Sequence, residues 1–312
     1  MTAYIVRRLW QMLPTMLGVV LLVFFLFNWV GGDPAYVLAG KISSQEQIDN
    51  IRRQLGVDQP YWVQLGIFLK QIVTADFGAS WSTNERVSHI LLTRLGPSLT
   101  VLVPLLILST LISIGLALAV AYVRGSFTDR MVMIVCTVGL SISILVYIIV
   151  FQYVFAYKLG WFPVQGWGDG FVQNLFVYAS LPILIGLVVS IAPNLRLYRT
   201  FFLDEINQDY VRTARAKGVS ENRIMWVHVL RNASIPIITF LMAELPGLLL
   251  GSFLVERFFS IPGIGREVIL AVERSDFPVI KAITVYVAVA TIFTNLLADL
   301  TYKAVDPRVQ LK

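Results

Sequence analysis

Cysteine and histidine are nearly missing from this chain of 312 residues. The one cysteine, Cys136, lies inside an apolar run, which excludes a disulfide framework and a thiolate metal site. His89 and His228 are the only histidines, too few to build a metal centre without other soft ligands. They are expected as ordinary polar side chains near an interface, and no metal site is expected. Charge is scarce as well: 14% of residues are Asp, Glu, Lys or Arg, against about 25% in a soluble domain. A phosphate-cradling Gly-x-x-x-x-Gly-Lys-[Ser/Thr] loop is also lacking. Gly40-Lys41 is followed by Ile42 and has no glycine at the upstream position. No nucleotide cofactor is therefore expected in this chain. Internal repeats and low-complexity segments do not occur.

What the chain has in excess is apolar residue, 57% of the total, with a mean hydropathy of +0.73. A spanning helix needs about 20 mostly apolar residues. Six stretches satisfy this, at roughly 9–30, 98–123, 131–157, 175–195, 234–255 and 279–298. The expected fold is an all-α integral membrane protein with six transmembrane helices and a single permease-type domain over 1–312. The first stretch follows Arg7-Arg8 and is longer than a signal-peptide core of about 7–15 residues, so it is read as a retained anchor.

The net charge of +6 could suggest nucleic acid. However, the cations gather beside the ends of apolar runs, which is the signature of membrane topology rather than of a phosphate footprint. Arg7 and Arg8, Arg124 and Arg130, the run from Arg196 to Arg231, and Lys303, Arg308 and Lys312 fall on one side. Lys158, Arg257, Arg266, Arg274 and Lys281 are the sparser set on the other. The charge-rich side is cytoplasmic by the positive-inside rule, so both termini are expected there, in a bacterial inner membrane.

The segment 31–97 is a long extracytoplasmic loop with short helices. Ser44 is placed to cap a helix that Gly56 ends, and a second helix from Pro60 to about residue 73 carries Tyr61, Trp62, Leu65, Phe68, Leu69 and Ile72 on one side.

The most informative polar segment is Asp209-Tyr210-Val211-Arg212-Thr213-Ala214-Arg215-Ala216-Lys217-Gly218, inside a loop at 199–233. Gly218 can take the left-handed conformation that ends a helix. Ser220 can cap a second short helix with Glu221 in its first turn. A membrane protein has little need of such a helix for its own folding, so it points to docking with something in the cytoplasm. The competing reading is a basic amphipathic helix lying on anionic headgroups.

Motifs along nearly the whole chain resemble the peptide/nickel branch of ABC importer permeases. Tyr4-Ile5-Val6-Arg7-Arg8-Leu9 and Gly32-Asp33-Pro34 are similar to the family's opening. Leu55-Gly56-Val57-Asp58-Gln59-Pro60-Tyr61 and Asp76-Phe77-Gly78-Ala79-Ser80 are similar to its first outer loop. The later matches are Leu159-Gly160-Trp161-Phe162-Pro163-Val164, Phe259-Ser260-Ile261-Pro262-Gly263-Ile264-Gly265, Asp276-Phe277-Pro278-Val279, Asn295-Leu296-Leu297-Ala298-Asp299 and Asp306-Pro307-Arg308. Two positions depart from the pattern: Ser143 stands where a proline is expected, and Ile191-Ala192-Pro193-Asn194 is unusual.

The resemblance implies the membrane subunit of an ATP-driven importer of di- or oligopeptides, with nickel chelates, glutathione or antimicrobial peptides as alternative solutes. A proton-coupled secondary transporter using Glu244 is the alternative from another class. The resemblance further implies a second homologous permease, two ATP-binding subunits, an extracytoplasmic substrate-binding protein and surrounding membrane lipid, and no catalytic residue in the chain. Asp209 to Gly218 would be the coupling helix, with Tyr210, Ala214 and Gly218 lining one side and small Ala214 and Ala216 allowing close approach to the ATPase.

Glu244 is an ionisable residue within a span, which costs roughly 2.5–3.5 kcal/mol on insertion scales and so should face protein or water. It is either a carboxylate in the solute pathway or a structural hydrogen-bond partner for a neighbouring subunit. Asp299 reads as a solvated or Lys303-paired carboxylate near the cytoplasmic boundary. The outer segment with Pro262, Gly263, Gly265, Arg266, Arg274 and Asp276 is either an outer gate that meets the binding protein or a simple connector.

Overall fold

A computed structural model describes residues 2–30, 34–39 and 44–305. The motif residues Gly32, Asp33 and 306–308 lie outside them, as does the side chain of Lys303 expected to pair with Asp299.

Fifteen α-helices and four π-helical turns follow one another among the described residues, without a strand. The first, α1 (Thr2–Phe25), runs on through a π-turn (Leu26–Val30). Three short helices follow it: α2 (Pro34–Ala39), α3 (Gln45–Leu55) and α4 (Tyr61–Thr74). Ser44 caps α3 as expected. Its hydroxyl accepts from the Gln47 amide while the Gln47 side chain accepts from Ser44 N, closing a capping box. Of the apolar side read along α4, Phe68 is buried and Ile72 packs beside it, while Tyr61, Trp62 and Leu69 stay exposed.

The bundle itself is α5 (Val87–Tyr122), α6 (Phe127–Ser141), α7 (Ile144–Phe151, continued by a π-turn to Lys158), α9 (Ser180–Ile206), α12 (Leu230–Leu250) and α15 (Phe277–Val305). The short α8 (Phe171–Gln173) leads into α9. Two further pairs complete the chain: α10 (Asp209–Ala216) with α11 (Glu221–Arg223), and α13 (Phe253–Phe258) with α14 (Ile264–Glu273).

Five helices are long and apolar enough to cross a membrane, and a sixth crossing exists only if a bent pair counts as one. That pair is α6 and α7, which meet at 91°. The straight span expected over 131–157 is therefore corrected to a broken one. Ser143, the position that departs from the family pattern, takes an extended conformation and its hydroxyl accepts from Leu145 N. A short hydroxyl side chain that bonds its own backbone competes with helix continuation and restarts α7 as a cap.

Other ends move too. The span expected from 98 begins at Val87 and continues through Pro97 and Pro104, so the first loop closes at Arg86. The one expected at 175–195 starts at Ser180 and ends at Ile206, through Pro193. Interior proline removes one helix bond, and packing of α9 against α5 along their lengths keeps these helices intact. In α12 the helix runs through Pro236 and Pro246 to Leu250, and the break comes at Gly251.

The buried residues form distinct clusters rather than one core. One sits at the end carrying α10, joining Leu118, Tyr198, Phe202, Val211, Ile224 and Val229. Two lie toward the opposite end, around Ile148, Ile185 and Phe259, and around Ile90, Ile264 and Ile283. A fourth holds Phe68 of α4 against α1 and α15.

Candidate functional site: the coupling surface and the outer latch

Helix α10 is anchored by its apolar residues. Val211 is 0% exposed and Ala214 8%, both inside the cluster that holds the adjacent ends of α5, α9 and α12. Burying a valine side chain contributes about 1.5–3 kcal/mol, so the helix is fastened to the bundle and cannot swing freely. Tyr210 adds a polar tie: its hydroxyl donates to Glu205 Oε2 at the end of α9, 2.6 Å away. Burial, reinforced by that carboxylate, pushes the Tyr210 phenol up to about 12, against a smaller opposing effect of Asn232 on α12.

The corner after α10 is closed by Gly218 at φ 75°, a left-handed geometry that a side chain with a Cβ rarely adopts. Arg215 grips Glu221 with two hydrogen bonds, 2.6 and 3.1 Å, and this pairing raises its pKa above the ordinary guanidinium value. Ser220 stands at the start of α11 in an extended conformation, but its side chain makes no capping bond. The expected cap is thus present in backbone only, because the Arg215–Glu221 pair already fixes the corner.

One assignment within the segment changes. Ala214, expected on the docking side with Tyr210 and Gly218, faces the chain's own core. A small residue lets two backbones approach, and here the second backbone is internal. Arg215 pairs with Glu221 while its side chain stays 42% exposed. The outward face is Asp209, Arg212, Thr213, Arg215, Ala216 and Lys217, all exposed. Asp209 and Arg212 form only a loose pair at 3.4 Å, with side chains 95% and 73% exposed. One further tie stiffens this end: Arg199 of α9 meets the buried Asp129 of α6 at 2.8 Å, and Gly125 N donates to the same carboxylate.

The opposite end is built around two buried carboxylates. Glu256 of α13 is 1% exposed. Ser98 Oγ and Ser252 N donate to its Oε1 at 2.8 and 3.0 Å, and Arg266 N donates to Oε2 at 3.0 Å. Ser98 Oγ in turn accepts from Ile264 N at 2.9 Å. This knot joins the start of α5 to the turn between α13 and α14. Gly251, Gly263 and Gly265 wrap the carboxylate so closely that a Cβ at Gly251 would lie 2.6 Å from Glu256 Oε1, and one at Gly263 would overlap Oε2. A buried carboxylate is tolerated only when fully hydrogen-bonded, and backbone donors reach it because glycines leave room.

Asp276, also 1% exposed, does the same for the first loop. It accepts from Ser80 Oγ, from Trp81 N at 3.1 Å, and from Ser82 N and Oγ at 3.2 and 2.9 Å. Arg94 of α5 pairs with Glu267 of α14 at 3.1 Å, and Arg266 Nη1 donates to Ser260 O at 2.9 Å. Among the expected outer-segment residues, Gly263, Gly265 and Asp276 are buried and Arg274 is exposed, with Pro262 and Arg266 between. Glu256 was not anticipated. A carboxylate in an apolar run four residues before Ser260-Ile261-Pro262-Gly263 was the signal, since a turn that rich in glycine exposes amides a buried acid can collect.

Glu244 lies half-buried on α12, in electrostatic reach of Tyr198. Among the described residues it accepts no hydrogen bond, and the Ser113 hydroxyl of α5 is buried without one. No group of His, Cys, Asp and Glu residues suited to a metal ion occurs among the described residues.

Sequence comparison accounts for both ends together. Residues 111–311 match the family described as the binding-protein-dependent transport system inner membrane component, and residues 1–102 match its N-terminal domain. A glutathione transport system permease protein of Salmonella typhimurium is 33% identical over the full length of both chains. A probable peptide ABC transporter permease of Sinorhizobium fredii is 34% identical, covering 99% of this chain and all of that protein. A dipeptide transport system permease of Alkalihalophilus pseudofirmus is 30% identical with the same coverage. The chain therefore belongs to the permeases of the peptide/nickel family of ABC importers, multi-pass inner-membrane subunits that are not enzymes alone and work with ATP-hydrolysing and substrate-binding partners.

Proposed function

We propose that this permease imports peptides or peptide-like solutes, glutathione among them, and that it works as one of two homologous membrane subunits served by two ATP-binding subunits. The family members most like it that carry solute names are glutathione, peptide and dipeptide permeases. Both termini and α10 face the cytoplasm, and the first loop with α13 and α14 faces outward, as the distribution of Lys and Arg requires.

The observation that carries this reading is the two-sidedness of α10. Its inner face is packed into the ends of α5, α9 and α12, while Asp209, Arg212, Thr213, Arg215, Ala216 and Lys217 remain exposed. A helix held this way transmits a push on its outer face to the spans as a rigid lever. ATP and magnesium sit on the partner subunits, whose closure supplies the push. The solute descends between spans past Glu244, where a carboxylate without a protein partner suits a cationic group on the solute. The segment from Pro262 to Asp276 closes the outer side and receives the binding protein, with Arg274 exposed for contact.

Uptake into proteoliposomes by the reconstituted complex, with its binding protein, tests the reading. It should require ATP, stop with vanadate, and keep its initial rate when a protonophore is added at constant ATP. Uptake by this chain alone, driven by an imposed pH gradient without ATP, would overturn it.

A further inference from the structure

A pocket of about 240 Å³ opens at the first-loop end, between α1, α4 and the beginning of α15. Its walls are aromatic, and one cation projects into it. Lys281 Nζ sits 5.6 Å from the centre of the Phe27 ring and 5.9 Å from that of Phe68, with Trp81 and Phe277 beside them. Aromatic faces stabilise an ammonium but do not neutralise it. Among the described residues, no carboxylate lines the pocket and Lys281 makes no ion pair. A second donor is also idle: Asn28 Nδ2, in the same wall, is buried with no hydrogen-bond partner. A lone cation and an unused N–H together in a largely aromatic pocket, with the neutral Gln64 and Gln71 also in its lining, call for an anionic oxygen, since a charge withdrawn from water without a partner is costly.

The surroundings say which anion. The helices that frame the mouth turn large apolar side chains outward: Phe25 and Trp29 on α1, Trp62 and Val73 on α4. Such surface suits acyl chains, and tryptophans gather at headgroup level. An oxyanion carried on a hydrocarbon body would satisfy pocket and flanks at once.

We infer that Lys281 and Asn28 bind the phosphate of an anionic glycerophospholipid from the outer leaflet, whose acyl chains lie along α1 and α4. The ammonium and the amide both donate to phosphate oxygens, the Phe27 and Phe68 rings exclude water, and the bound lipid cements α4 to the bundle. This rests on the membrane location of the chain and on the outward orientation of the first loop proposed above, and not on the solute it carries, so failure of the transport assay leaves it standing and its own failure leaves the transport reading intact.

The test uses the assembled complex in nanodiscs of mixed phosphatidylglycerol and phosphatidylcholine, with lipid retained after detergent extraction counted by native mass spectrometry. Wild type should keep phosphatidylglycerol in preference to phosphatidylcholine, Lys281→Arg should do the same, and Lys281→Met should keep about tenfold less, the loss of one charge-assisted contact. Millimolar inorganic phosphate should not displace the lipid. Equal retention by wild type and Lys281→Met overturns the assignment, and displacement by inorganic phosphate overturns a lipid in favour of a free ion. Should Lys281→Met fail to assemble, the wild-type measurement decides alone: no enrichment of phosphatidylglycerol over the surrounding mixture also overturns it.

Discussion

The two ends of this permease are held together by different physics. At the α10 end the helix is held mainly by apolar contact: Val211 and Ala214 sit among Phe202, Ile224 and Val229, with the buried Asp129–Arg199 pair tying α6 to α9 at the same end. At the first-loop end the fastening is polar: the buried Glu256 gathers donors from Ser98, Ser252 and Arg266, and the buried Asp276 gathers four from residues 80–82 of the first loop. Apolar contact is insensitive to direction, so it makes a stiff mount that tolerates repeated loading from outside. Hydrogen bonds are directional, so the polar end fixes one arrangement of loop, turn and helix and releases it as a unit when donors are withdrawn.

The largest effect should come from breaking the latch. Glu256→Ala strands the Ser98 hydroxyl and the amides of Ser252 and Arg266, which should cost about 3–5 kcal/mol in the manner of a broken buried charge network. Thermal unfolding of the purified complex and protease access to residues 75–97 would read this, and a variant as stable as wild type would show that the knot is dispensable. Glu256→Gln, which keeps the shape, should lose less.

Next in size is a comparison of the two faces of α10. Ala214→Asp places an unpaired charge against Val211 and Phe202 and should destabilise the bundle itself by about 3 kcal/mol. Ala216→Asp, on the exposed face, should leave the thermal midpoint unchanged while reducing recovery of the ATPase with the affinity-purified permease. If both variants lose the ATPase at unchanged stability, the inward placement of Ala214 is wrong.

Tyr210→Phe removes one hydrogen bond to Glu205 and should cost about 0.5–1.5 kcal/mol. The wild-type phenol, raised to about 12 from an ordinary value near 10, stays protonated in the folded state after it would ionise in the unfolded one. Its contribution is therefore fully present below about pH 10 and lost as pH rises toward 12. A pH series of wild type against Tyr210→Phe should converge only in that alkaline window.

The smallest effect belongs to Arg212→Ala. Its pairing with Asp209 is exposed at both ends, and exposed pairs contribute about 0–1 kcal/mol. Stability should hardly change, and any loss of transport reports docking alone.

Much of this was legible from residues. Apolar runs announced the spans because a bilayer demands about 20 such residues in a row. Ser44, Gly56 and Gly218 marked helix ends because capping is decided within a few residues of chain. The α6–α7 break was only hinted at by Ser143, and the inward direction of Ala214 was missed, since spacing along a helix says which residues share a face but not what that face meets. Glu256 was missed for a related reason: the Ser98 hydroxyl that completes its site is far away in the chain, although the glycine-rich turn beside it was a local signal.

What the sequence determined by itself was the membrane class, the number of apolar runs, the helix caps and the family, because each depends on composition, on local order or on motifs read in line. What only the tertiary structure decided was which charges are buried and by whom they are satisfied, which face of α10 is free, and that Lys281 and Asn28 share a pocket without a counter-ion among the described residues. Those depend on segments distant in the chain being brought within hydrogen-bonding distance, and no local pattern encodes that proximity.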